Sequence, residues 1–68
     1  MKTNKDATAV AVSAGEEMAR ATAEFLKGAD LMFWAAEQFK AAELAASEGH
    51  ALAAKRLAAA GTLASSMA

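Results

Sequence analysis

The chain contains no cysteine and no proline, and it carries almost no excess charge of either sign. Without cysteine, disulfides and thiolate chemistry are excluded, and the sequence gives no information on the redox compartment. A net charge of −1 gives no electrostatic reason to expect nucleic acid or an acidic membrane surface as a partner. No segment approaches the roughly 18 consecutive apolar residues of a membrane span. We therefore expect a cytoplasmic protein without a membrane partner.

Large side chains are scarce, although the hydrophobic fraction is 56%. Alanine accounts for 22 residues, so only fifteen large apolar side chains remain beyond Met1. Alanine favours helices because it loses no side-chain entropy, but its burial removes little apolar area from water. At 68 residues the chain is close to the lower limit for independent folding. The composition predicts one small all-α domain, a helical hairpin or a short two-to-three-helix bundle, completed by oligomerisation.

A repeat of seven residues runs through the middle of the chain, from Met18 to Phe39. In it, a bulky apolar residue is followed three positions later by a small one, which gives a heptad seam of alternating size. Small residues allow two helix backbones to approach closely, and large residues then fill the gaps beside them. This pattern predicts a homo-oligomer formed through one stripe of eight residues: Met18, Ala21, Phe25, Gly28, Met32, Ala35, Phe39 and Ala42.

The sequence predicts a main helix over residues 14–48, preceded by a mobile arm or a short strand over residues 1–12. The strand is suggested by the alternation of β-branched and small residues in Thr8–Val12. Ser13 and Glu16 have the spacing of a capping box, in which each side chain satisfies a backbone N–H at a helix start.

Gly28 leaves two possibilities open for the middle of this helix. It could be a small residue within one continuous helix, and the heptad phase shared by Phe25 and Met32 favours this interpretation. Alternatively, a break at residues 28–30 would make Gly28 the left-handed residue after a first helix and Asp30 the cap of a second. The second alternative predicts a tight helical hairpin.

Gly49 is the clearest predicted helix stop, because glycine readily adopts the left-handed conformation that follows many helices. A second helix is predicted over residues 50–60. Gly61 is then expected to end or fray that helix, which leaves residues 61–68 as a weak tail.

The segment Ala45–Leu57, AASEGHALAAKRL, resembles the middle of a Sel1-type or tetratricopeptide-like helical repeat. The resemblance covers thirteen residues and is not repeated along the chain. Because solenoids need about three repeats to bury their faces, it implies a helix–turn–helix at Gly49 and no solenoid.

The order of a strand, a capped helix, a glycine turn and a helix across Thr8–Phe39 resembles the layout of ribbon-helix-helix repressors. In that family, polar or basic strand residues contact base edges. Here one face of the strand would present Ala7, Ala9 and Ala11, which cannot read bases. DNA binding is therefore the least favoured of the functions considered.

Catalytic and metal-binding patterns are missing from the sequence. The single histidine, His50, has alanines at i±4, so no helical pair of metal ligands exists. The serines occur outside any nucleophile motif, and the carboxylates alternate with basic residues as on a solvated helix face. We expect a non-enzymatic protein with no metal and no cofactor.

Leu31, Met32, Phe33 and Trp34 form the longest run of large apolar residues. Four such residues in a row point in nearly every direction around a helix. The third segment could fold back over them, or they could widen an oligomer interface. In the third alternative, Leu31, Phe33 and Trp34 dock onto a different protein, since tryptophan is enriched at binding hot spots.

These patterns predict a non-enzymatic assembly or protein-binding module that self-associates through the seam. One alternative is a phage or mobile-element accessory protein that inhibits or adapts a partner by docking Leu31, Phe33 and Trp34. Two further alternatives are a helical bundle that holds a small ligand near Trp34 and the ribbon-helix-helix-like DNA-binding protein.

Overall fold

The chain folds into an all-α bundle, as the composition predicts. The structure is a computed structural model that describes residues 4–68, and within these residues it has three helices and no strand. They are α1 (Asn4–Ala23), α2 (Gly28–Ser47) and α3 (Ala51–Met67). None of the three combines the length and apolar character needed to cross a membrane.

The last helix in the chain, α3, lies in the middle of the bundle. It packs against both α1 and α2, whereas α1 and α2 hardly touch each other. The molecule measures 40 × 24 × 14 Å, and its width fits three helices side by side at interaxial distances of about 8–10 Å. Two residues of α3, Lys55 and Arg56, carry its only charges. A helix with so little polar surface is stable when neighbours cover two of its sides.

The predicted arm or strand at the N-terminus is wrong for residues 4–12, which are helical; residues 1–3 lie outside the described residues. Ser13 consequently lies inside α1, and the predicted capping box does not start a helix there. Thr8–Val12 is helical in spite of its period-two alternation, and a set of apolar residues with helical spacing lies beside α3. Without its strand, the ribbon-helix-helix layout does not apply. The members of that set have the spacing i, i+3, i+4, i+7: Ala7, Val10, Ala11 and Ala14.

The favoured continuous helix through Gly28 is also wrong. α1 ends at Ala23, and α2 begins at Gly28 with a φ of +55°. The chain turns in between, where the N–H groups of Phe25 and Leu26 both donate to the carbonyl of Thr22. A shared heptad phase therefore does not imply a continuous helix. The break lets both segments pack onto α3.

The predicted stop at Gly49 is confirmed. Gly49 has a φ of +82°, its N–H donates to the carbonyl of Ala46, and the N–H of His50 donates to the carbonyl of Ala45. These two bonds are the Schellman pattern that satisfies free carbonyls at a helix end. The prediction for Gly61 is wrong: it lies buried inside α3, which continues to Met67.

Glycine on either side of α3 brings the helix backbones unusually close together. A Cβ placed on Gly15 of α1 would overlap the carbonyl oxygen of Arg56 and lie 3.1 Å from Cβ of Ala59. A Cβ on Gly61 would lie 3.0 Å from the ring of Phe39 and 3.1 Å from the carbonyl oxygen of Ala35. The bundle therefore gains dispersion contacts between backbones in place of a core of large side chains.

Replacing Gly15 with alanine tests this close approach. At an exposed position inside a helix, replacing glycine by alanine stabilises the fold by about 1 kcal/mol. Where the added methyl group pushes two packed helices apart, the fold is instead destabilised by about 1–3 kcal/mol. Because the obstacle is a backbone carbonyl that cannot rotate away, we expect Gly15→Ala to lower the unfolding free energy by about 1–2 kcal/mol. Urea denaturation followed by circular dichroism at fixed protein concentration measures the change.

Ser13→Ala, at an exposed position two residues earlier on α1, is the matched control and should leave the stability unchanged or slightly raised. A Gly15→Ala variant that is as stable as the wild type would contradict the close α1–α3 contact.

Candidate functional site

The first half of the predicted seam does not form a packed stripe. Met18 is partly buried on α1, whereas Ala21 is exposed on the same helix. Phe25 lies in the turn after α1 and is 86% exposed, and Gly28 is exposed at the start of α2. The seam is interrupted because the helix that was to carry it ends before Phe25.

The second half of the seam lies on α2 and packs within the chain. Ala35 and Ala42 are buried in the core, whereas Met32 and Phe39 are partly exposed. The Phe39 ring covers Gly61 of α3, with 39% of the residue still exposed. The predicted packing of a large residue on a small one therefore occurs here between two helices of one chain. Whether these residues also contact a second copy stays a prediction.

The four large apolar residues at the start of α2, Leu31 to Trp34, are divided between the core and the surface. Leu31 is only 2% exposed, and it packs with Ala64 of α3 in the main apolar cluster. Trp34 is half-buried against the same cluster. Phe33 is 59% exposed. The predicted docking patch of Leu31, Phe33 and Trp34 is therefore not a single accessible surface, because Leu31 is buried in this cluster and Trp34 is half-buried against it.

A groove with a volume of about 610 Å³ lies between the second half of α2 and the first half of α3. Alanine residues make up most of its lining, and Phe39 is the lining residue of α2 that lies farthest along the chain from the Gly49 turn. Two exposed charged residues, Glu43 on α2 and Lys55 on α3, also line it. We refer to this surface as the α2/α3 groove. Its lining residues are Phe39, Ala42, Glu43, Ala46, Ala51, Ala54, Lys55 and Ala58.

Two smaller grooves lie between α1 and α3. One, of about 480 Å³, is lined by apolar residues of both helices and by Arg56. The other, of about 270 Å³, has a more polar lining that includes Glu16 and Thr62. Trp34 lines none of these three grooves, so the structure gives no support to the predicted ligand site beside it.

The polar side chains form short local interactions. Lys40 and Glu37 pair at 3.5 Å on α2, and Nδ1 of His50 lies 3.8 Å from the Glu48 carboxylate next to the Gly49 turn. Ser47 and Ser66 donate to backbone carbonyls of their own helices. In the part of the chain that the structure describes, no three histidine or carboxylate side chains come together as a metal site.

The heptad seam does not include the small residues that hold the bundle together, although the sequence places Ala60 and Ala64 on one stripe of the last helix. Gly15 and Ala19 on α1, and Ala60 and Ala64 on α3, are all buried. Each pair has the spacing i, i+4, which places small side chains on one helix face. That spacing is a signal for close helix packing, and it lies outside the stripe of alternating large and small residues.

Comparisons with protein-family models, with curated proteins and with solved structures found no match to this chain.

Paired alanine substitutions test the division of the apolar run at the start of α2. Leu31→Ala should lower the unfolding free energy by at least about 2 kcal/mol, because truncation of a buried leucine leaves a cavity. Phe33→Ala, two positions away on the exposed side, should change it by no more than about 0.5 kcal/mol. Thermal or urea unfolding of both variants measures the difference. Equal losses would mean that Phe33 is also part of the core.

Proposed function

We propose that this protein is a non-enzymatic assembly module that self-associates through exposed apolar helix surface. The observation that supports this most is the distribution of its large side chains. Within the described residues, Leu31 is the largest side chain that is completely buried, and the rest of the core is alanine. Of the fifteen large apolar side chains between Val10 and Met67, eight are exposed: Val10, Phe25, Met32, Phe33, Phe39, Leu44, Leu52 and Met67.

The total surface supports the same proposal. The accessible area is 4566 Å², whereas a folded monomer of 6.9 kDa is expected to have about 4,000 Å². The radius of gyration is 12.1 Å, against about 11 Å for a compact domain of 68 residues. A row of three helices leaves both faces of the middle helix only partly covered. Contact with another chain would remove part of this additional surface from water.

Scattered apolar residues are common on protein surfaces, so exposure alone would not support the proposal. The additional feature here is the small core, because burying alanine contributes little stabilisation per residue. A short chain that leaves half of its large side chains at least 39% exposed has little free energy to offset the entropy lost on folding. Self-association supplies the missing burial.

Measurement of molar mass by light scattering at micromolar concentration tests the proposal. We expect a mass of at least twice the 6.9 kDa of one chain, and a melting temperature that rises with protein concentration because association stabilises the folded state. A chain that is folded, monomeric and indifferent to concentration would contradict self-association.

A further inference from the structure

We propose that two copies of this chain associate through the α2/α3 groove, around a two-fold axis that runs parallel to α2 and α3. The inference rests on the proposed self-association and specifies its surface, its partner and its geometry. In this dimer, α2 of each copy lies on α3 of the other, which gives a four-helix bundle whose neighbouring helices are all antiparallel.

The charges that line the groove complement themselves across such an axis. Glu43 and Lys55 are both exposed, and among the side chains that the structure describes neither has an ion-pair partner within 4.0 Å. Glu43 lies six residues before Gly49 and Lys55 six residues after it. At a rise of about 1.5 Å per residue, both therefore lie about 9 Å from the turn. The two-fold axis places Glu43 of each copy next to the partner subunit's Lys55.

The apolar residues of the groove also lie level with residues of suitable size in the second copy. Phe39 lies ten residues before Gly49 and Ala58 nine after it, so the ring of Phe39 is level with the partner subunit's Ala58. Ala46 and Ala51 lie three residues before and two after the same glycine. Small residues therefore meet near the turns, where the backbones approach, and a large residue meets a small one at the far end. The size alternation predicted for the heptad seam recurs here between α2 and α3 of different copies.

A two-fold axis perpendicular to the helices is less favourable when it passes at the level of Glu43 and Lys55. It would then place α2 on α2 of the second copy, with Glu43 next to the partner subunit's Glu43 and the lysines paired likewise. Like charges at an interface cost free energy, so at this register the charges favour the parallel axis.

Charge pairing also distinguishes the α2/α3 groove from the grooves beside α1. The larger of the two grooves beside α1 is less suited to a second copy, because it contains Arg56 and no acidic residue to meet it.

Charge reversal on the full chain tests the geometry. In Glu43→Lys, every intermolecular pair becomes Lys with Lys, and in Lys55→Glu every pair becomes Glu with Glu. Because two pairs change from attraction to repulsion, we expect each variant alone to dissociate at least about tenfold more readily than the wild type. Sedimentation equilibrium at matched micromolar concentrations measures the dissociation constant.

An equimolar mixture of the two variants should restore association to within about threefold of the wild type. In the mixed dimer, the lysine introduced by Glu43→Lys meets the glutamate introduced by Lys55→Glu. The second pair joins the unchanged Lys55 of one chain to the unchanged Glu43 of the other, so both pairs are attractive again. An effect within each chain could not be repaired by mixing, and both substituted positions are exposed, so circular dichroism should show unchanged folding.

Glu24→Lys, in the turn between α1 and α2, is the matched control for the change in net charge. It replaces an exposed glutamate by lysine outside the α2/α3 groove, so this variant should associate like the wild type.

The possible results separate this inference from the proposed function. Recovery on mixing supports both. A wild-type chain that self-associates while both single variants do so equally well overturns the groove dimer and leaves self-association standing. Variants that weaken association without recovery on mixing also overturn the proposed pairing. A monomeric wild type overturns both statements, and the groove would then be open to a helix of a different protein.

Discussion

The close approach of α3 to both neighbouring helices is the constraint on which the rest of the structure depends. Gly15 on one side and Gly61 on the other leave no room for even a methyl group without displacement. Completely buried alanines, Ala19, Ala60 and Ala64, continue the same narrow contacts. Dispersion forces fall steeply with distance, so a core of small side chains stabilises a fold only when backbones are this close.

This mode of packing determines what the surface looks like. When helices approach so closely, no space remains between them for leucine, methionine or phenylalanine side chains, and most of these project outward. Phe39 contributes both to the packing and to the exposed apolar surface, because its ring covers Gly61 and the residue also lines the α2/α3 groove. The features that hold the monomer together thus also create the apolar surface and the groove that we propose for association.

Several elements of this arrangement could be predicted from the residues. The all-α class follows from the alanine content, and the turn at Gly49 follows from the need for a left-handed residue after α2. The importance of residues 18–39 was also apparent, and Ala35 and Ala42 are indeed buried in packing contacts. The identity of their neighbours was not apparent, because a stripe on one helix is compatible with a second copy or with another part of the same chain.

The sequence by itself determined the all-α class and the turn at Gly49, because propensity and glycine conformation act over a few neighbouring residues. Tertiary structure alone decided three other matters: the break before Gly28, the helical state of Thr8–Val12, and the burial of Leu31. Each depends on α3 returning between α1 and α2, since the area buried by that contact outweighs the local preference for a strand or for a continuous helix. Local signals along the chain hold no information about where a distant helix will pack.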